Sequence, residues 1–201
     1  MNGLNYKVLD SLKNIERPEW DLIFGDIPEG YDFFKTIEES NLEGFSFYYI
    51  LIYQDKDLLL IAPLFVTDFN LDIVVEGQAQ RLIQFIRKLI PRFFILKTLF
   101  CGSPFGENGI LGLRPGYEDK DILVAELIRA IQSISRENNI PLAIFKDFLK
   151  ENLATLEPLK NRGFFRAGSF PTVVVDLSFN SLDDYFRTLS RNTRKNLRRK
   201  I

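Results

Sequence analysis

Apolar positions along this chain change period several times, and each change predicts an element. Phe33, Phe34 and Ile37 share one face of a helix over Tyr31 to Ser40, after a turn-rich stretch from Glu19 to Gly30. Phe45 to Tyr53 and Leu58 to Thr67 are runs of aromatic and aliphatic residues, and the polar Gln54-Asp55-Lys56-Asp57 between them predicts a hairpin. Leu82, Phe85, Ile86 and Leu89 then repeat with the spacing of a helix lying on a sheet, over Gln78 to Leu89, and Pro91 closes it. Ile95 to Cys101 reads as a strand. Asp119 to Asn138 is the clearest helix, its apolar stripe formed by Ile122, Leu123, Leu127, Ile128, Ile131 and Ile134. Leu142 to Phe145 is a short buried strand, Glu151 to Arg162 an amphipathic helix ended by Gly163, and Pro171 to Leu177 a strand rich in β-branched residues. Ser181 opens a last helix, with Asp183 and Asp184 in its first turn, that runs on into a basic segment. This order predicts a mixed α/β domain with helices packed on a central sheet.

Charge changes the picture at the end of the chain. Of 26 Lys and Arg, seven (Arg187, Arg191, Arg194, Lys195, Arg198, Arg199 and Lys200) lie in the last fifteen residues, where no Asp or Glu occurs. The preceding 186 residues therefore carry 19 cations against all 27 carboxylates. Like charges held together repel unless an anion or an acidic surface neutralises them, so the block marks an interaction surface or a solvated face. Arg187, Arg191, Arg194 and Arg198, and likewise Arg191, Lys195 and Arg199, follow helical spacing. Leu189, Leu197 and Ile201 leave a thin apolar stripe opposite. The run has neither cap nor Gly or Pro stop signal, and the natural chain is expected to continue past Ile201.

Composition also excludes chemistry. With no histidine and a single cysteine, Cys101, the chain cannot build a Ser-His-Asp triad, a Cys-His pair or a His/Cys zinc site from its own residues, and no metal is expected. No apolar run approaches the ~20 residues of a membrane span, no secretory signal is readable, and a cytoplasmic location is expected. After Cys101 comes a loop with glycines at 102, 106 and 109. Gly102, Ser103, Gly106 and Glu107 are candidates for facing a ligand there, with Glu107 the acidic residue best set as a base, against the plainer reading of an ordinary long connection. The loop lacks a P-loop Lys-Ser/Thr pair and the dinucleotide fingerprint. Cys101 reads as a small buried hydrophobe. Glu38 with Glu39, and Asp183 with Asp184, read as solubility and helix-dipole residues, since neighbours on a helix point apart.

From Leu159 onward the sequence resembles a known family. Leu159-Lys160-Asn161-Arg162-Gly163-Phe164, Pro171-Thr172 leading into Val175-Asp176-Leu177, Ser181-Leu182-Asp183-Asp184-Tyr185, and the run Leu189-Ser190-Arg191-Asn192-Thr193-Arg194-Lys195-Asn196-Leu197-Arg198-Arg199-Lys200 look like the middle of FemAB-like N-acyltransferases, relatives of the GNAT acetyltransferase superfamily. The resemblance implies a GNAT-like α/β domain over residues 1–178, a mixed central sheet flanked by helices. It implies a basic helical connector over 179–201, leading to a second GNAT-like half absent from this chain. It implies acyl or aminoacyl transfer to an amine, with acyl-CoA or aminoacyl-tRNA as donor and a small-molecule or peptidoglycan-precursor-like amine as acceptor. Arg191, Arg194, Lys195, Arg198 and Arg199 are then the candidates for the donor's phosphates. The Gln/Arg-x-x-Gly-x-Gly/Ala donor loop of a catalytic GNAT domain does not occur here, and no catalytic residue is identified. A binding module that docks its basic helix on nucleic acid or anionic lipid is the alternative.

Overall fold

A computed structural model describes residues 3–71, 77–168 and 178–200. They fall into two compact units, Met1–Arg166 and Ala167–Ile201.

The first unit is built on a six-stranded sheet whose order is β1 (Leu4–Leu9), β2 (Ser46–Gln54), β3 (Asp57–Asn70), β4 (Ile95–Cys101) and β6 (Leu142–Phe145), with the short β5 (Gly112–Leu113) also on β3. All pairings are antiparallel except β4 with β6. The expected mixed sheet flanked by helices is what these residues form. The hairpin turns on Asp55 and Lys56, with Asp55 at φ 55°, a left-handed conformation that Asp tolerates. A register shift at Ile52/Tyr53 sets Leu59 as an extra residue, so that Leu59 and Leu60 both join one core while Leu58 joins the other. Pro63 sits in the middle of β3, a position normally closed to proline because it lacks an N–H. On its far side β3 has just left β5 at Ile61 and meets β4 only at Leu64, so no ladder bond is lost.

Both faces of the sheet are covered, which is why β2 and β3 read as unbroken apolar runs. On one face Ile50, Ile52, Leu60, Ala62, Leu64, Leu99 and Cys101 pack against Leu123, Leu127, Ala130, Ile131 and Ile134 of α4 (Lys120–Glu137). Each such Leu or Ile contributes about 1.5–3 kcal/mol. The opposite face is covered by α1 (Arg17–Phe24) and α2 (Tyr31–Glu39), through Trp20, Ile23 and Phe34 against Tyr49, Leu51 and Ile61.

Several expectations are corrected. The stretch from Glu19 to Gly30 is not all turn: Pro18, set where no helical N–H is needed, opens α1, which Gly25 ends at φ 65°. The helix over Gln78 to Leu89 exists as α3 (Gln78–Arg87), but it does not lie with Leu82, Phe85 and Leu89 on the sheet. These three are exposed, at 59, 62 and 77%, Ile86 is half-buried, and among the described side chains of the helix Ile83 is the buried one. The amphipathic helix expected over Glu151 to Arg162 is broken into a 3-10 turn, α5 (Leu153–Leu156) and a second 3-10 stretch, Glu157–Arg162. Pro158 has no N–H to donate and crowds the preceding turn. Gly163 ends the segment at φ 89°, as expected, and Phe164 meets the Phe145 ring edge-on at 5.5 Å. The strand expected over Pro171 to Leu177 lies outside the described residues. In the second unit Ser181 caps the helix as expected, its Oγ accepting from the Asp184 N–H, but the single basic helix is two: α6 (Leu182–Thr188) and α7 (Arg191–Leu197). Ser190 makes the break, because its hydroxyl caps α7 by accepting from the Thr193 N–H. No described helix is long and apolar enough to cross a membrane.

Glu38 is the polar residue on which the α2 face depends, contrary to its reading as a solubility group. Its carboxylate accepts from Ser11 Oγ at 2.5 Å, the Leu12 N–H at 2.8 Å and the Tyr49 hydroxyl at 3.0 Å, tying β1's exit, α2 and β2 together. Glu39 stays exposed. Burial, and then the nearby Glu38 charge, push the Tyr49 phenol well above its ordinary 10.0. A raised phenol pKa means that the neutral form is favoured by folding, so this stabilisation is complete below pH 10 and is lost as pH rises further. Thermal denaturation scanned from pH 8 to 11 should show stability falling above pH 10 by at most about 1.4 kcal/mol per pH unit from this group. Tyr49→Phe should cost about 2 kcal/mol at pH 8 and make the alkaline fall shallower.

Candidate functional site

The parallel pair β4 and β6 ends at the glycine loop, so the candidates Gly102, Ser103, Gly106 and Glu107 lie at the carboxyl ends of two parallel strands, a usual ligand position in α/β folds. Here that end is laced shut by backbone. Strand pairing runs to Cys101 opposite Phe145, the Lys146 N–H donates to the Cys101 carbonyl at 3.2 Å, and the Gly109 N–H donates to the Asp147 carbonyl at 2.8 Å. Gly109 is glycine because a Cβ there would sit 2.5 Å from a Phe148 ring carbon and closer still to the Lys146 carbonyl. Gly102, at φ 128°, turns the chain out of β4 and donates to the Pro63 carbonyl. Ser103 is buried, and its Oγ accepts from the Phe105 and Gly106 N–H groups, both at 3.2 Å. Two of the loop's amides are therefore occupied by the loop's own hydroxyl. Glu107 is exposed.

The next element is no better suited to a phosphate. A helix N-terminus attracts anions through its free N–H groups and dipole. The start of α4 instead carries the exposed carboxylates Glu118, Asp119 and Asp121, which already complement the dipole and repel a second anion. Arg114, just upstream, is paired with Asp57 at 2.9 Å.

Cys101 closes β4 and is 1% exposed, and burial pushes its thiol far above its ordinary value. No thiolate is available for nucleophilic chemistry. The carboxylate pairs are likewise accounted for by structure. Asp184 holds Arg187 at 3.1 Å and Asp183 holds Arg198 at 3.4 Å.

The basic candidates of the second unit divide into two groups. Arg198 lies over the Phe186 ring, 5.5 Å from its centre, besides pairing with Asp183, and Arg194 donates to the Leu189 carbonyl at 3.4 Å. Arg191, Lys195 and Arg199 are exposed, spaced at i, i+4 and i+8, and have no ion-pair partner among the described residues. Arg191 and Lys195 on α7 and Arg199 just after it thus form an outward stripe, while the nearby carboxylates Asp183 and Asp184 are taken up by Arg198 and Arg187.

One polar feature was not signalled by the sequence. Two shallow hollows, of about 370 and 260 Å³, adjoin Glu38; the larger is lined by Asp10, Asn41, Ser46 and Tyr48 among others. Its carboxylates suit a cation and not a phosphate. Adjacent glutamates at a helix end carry no sign in sequence of which one turns inward, and the Ser11 and Tyr49 partners are remote along the chain.

The sequence matches no protein-family model and no curated protein. Among solved structures the chain is similar to an aminoglycoside N-acetyltransferase in complex with CoA, at 11% identity and a TM-score of 0.49, over 86% of this chain and 94% of that one. It is similar to an aminoglycoside 6′-N-acetyltransferase from Acinetobacter baumannii at 10% identity and a TM-score of 0.47, over 88% and 100% of the two chains. It is also similar to a Trypanosoma brucei acetyltransferase at 13% identity and a TM-score of 0.44, over 86% and 99%. These are likenesses of chain trace and assign no activity.

The burial of Cys101 has a direct chemical consequence. In the native protein the thiol should be inert to a thiol-reactive dye at pH 8, and one equivalent should react after unfolding in guanidinium. Labelling of the native protein as fast as the unfolded one would contradict the closed loop end.

Proposed function

We propose that this chain is the first GNAT-like half, residues 1–178, with the basic connector, 179–201, of an N-acyltransferase of the FemAB-like kind. The reaction is transfer of an acyl or aminoacyl group to a small-molecule or peptidoglycan-precursor-like amine. The amine nitrogen attacks the carbonyl of a thioester or aminoacyl ester, the C–N bond forms, and the C–S or C–O bond breaks. The nitrogen's proton passes to a base and the leaving thiolate or alkoxide takes one up. This chemistry rests on positioning and on donors for the carbonyl oxygen, and it needs neither histidine nor metal from this chain.

The observation that carries the reading is the outward stripe of Arg191, Lys195 and Arg199 in the segment that resembles the family. Acyl-CoA and aminoacyl-tRNA share one chemistry, a phosphorylated carrier, and charge-assisted contacts from guanidinium and ammonium groups fit it. The acidic start of α4 and the self-satisfied glycine loop fit it poorly, which supports a donor held by the connector and by a further half instead of by the first unit. In this proposal the first half contributes scaffold and acceptor side, and transfer needs the protein beyond residue 201.

Calorimetric titration of the full-length protein with CoA, 3′-dephospho-CoA and tRNA separates the possibilities. CoA binding that weakens on loss of the 3′-phosphate, and weakens about tenfold or more in the triple variant Arg191→Glu/Lys195→Glu/Arg199→Glu, is expected for a CoA donor. The same variant losing tRNA binding and aminoacyl transfer is expected for a tRNA donor. RNA binding that is sequence-independent, falls steeply with salt and accompanies no transfer would replace the enzyme reading with a nucleic-acid module.

A further inference from the structure

A second basic surface lies on α3 and the turn that follows it, far along the sequence from the terminal cations. Leu82, Phe85, Leu89 and Ile90 stand exposed there, at 59, 62, 77 and 56%. Leu82 and Phe85 are one turn apart on α3 and Leu89 and Ile90 follow in the turn after it, while Ile83 is buried. From Gln78 to Gly106 the sequence carries Arg81, Arg87, Lys88, Arg92 and Lys97 and no Asp or Glu, in a chain whose overall balance is −1. Arg87 is turned inward, to Asn70 and the Phe93 carbonyl, and Lys97 reaches the Asn138 carbonyl. Arg92 bridges Asp68 at 2.7 Å and remains largely exposed. Arg81 and Lys88 are exposed beside the apolar residues, without an ion-pair partner among the described residues.

We infer that this helix docks on an anionic phospholipid surface. Apolar side chains that project from a helix, flanked by cations, fit an interface in which the rings and methyls enter the headgroup boundary and the cations meet lipid phosphates. Charge decides between this occupant and a second copy of the chain. Two α3 helices packed on each other would bring Arg81 and Lys88 of each copy onto a surface with no carboxylate between Gln78 and Gly106 to neutralise them. A bilayer rich in anionic headgroups supplies that neutralisation along the whole helix. The inference does not depend on the transferase reading.

Flotation with vesicles tests it. The 201-residue protein should co-float with vesicles of 70% phosphatidylcholine and 30% phosphatidylglycerol, and should bind pure phosphatidylcholine about tenfold more weakly or less. Phe85→Glu/Leu89→Glu and, separately, Arg81→Glu/Lys88→Glu should each lower anionic-vesicle binding by about tenfold or more, since each surface cation near such a membrane is worth roughly a factor of five. All four positions are exposed, and unchanged circular dichroism verifies the folds of the variants. The variant Arg191→Glu/Lys195→Glu/Arg199→Glu should retain most of the binding. No flotation of the wild-type protein, equal flotation of the α3 variants, or binding lost only with the α7 cations overturns the inference. So does light scattering that shows a wild-type dimer made monomeric by Phe85→Glu/Leu89→Glu, which would make the face a self-interface.

Discussion

The parallel pairing of β4 with β6 is the constraint from which most of the arrangement follows. Parallel strands cannot be joined by a tight turn, so the chain must cross over the sheet, and α4 makes the crossing with its apolar stripe on the sheet face. The crossing in turn fixes where the glycine loop and the start of α4 fall, at the carboxyl ends of the pair. Residue types then decide what that end can do. Backbone bonds from Lys146 and Gly109 close it, the Ser103 hydroxyl takes up two loop amides, and three carboxylates occupy the helix start. A position that parallel strands commonly offer to ligands is here a packed corner with negative charge outside it.

Charge is segregated along the chain as sharply as the strands are paired. A chain with a net charge of only −1 divides into carboxylate-rich regions, such as the hollow beside Glu38 and the start of α4, and two carboxylate-free stretches, residues 78–106 and 187–201. Just ahead of the second stretch, Asp183 and Asp184 neutralise Arg198 and Arg187, Arg194 is turned to the Leu189 carbonyl, and Arg191, Lys195 and Arg199 remain exposed. An amine and a phosphorylated carrier carry opposite charge, and a protein that brings them together gains from separate regions of opposite sign.

The sequence was most legible where long periodic runs dominate. The bounds of β4 and β6 agree with the expected strands, the hairpin turns where its polar residues fall, and α4 buries the stripe read from its spacing except for Ile122, which is exposed at the helix start. Short elements were missed for a physical reason: α1 offers only Trp20 and Ile23 as its fully covered positions, and β1 alternates between half-buried and exposed residues without a strong apolar run. Period alone also misled, since the Leu82, Phe85, Leu89 face has the correct spacing for a packed helix and turns away from the core. Single residues broke two long helices, Pro158 by its ring and Ser190 by its capping hydroxyl. In the candidate site the buried thiol of Cys101 and the helical spacing of Arg191, Lys195 and Arg199 were readable. The closure of the loop by Lys146 and Asp147, and the three donors on Glu38, depend on contacts remote in sequence and were not.

In the proposed function a phosphorylated donor meets the terminal cations and not the strand ends. Hydrogen exchange of the full-length protein, measured with and without CoA, addresses it segment by segment. Slowed exchange across residues 187–200 with no change across residues 102–121 is expected. Slowed exchange across 102–121 with 187–200 unaltered would contradict it.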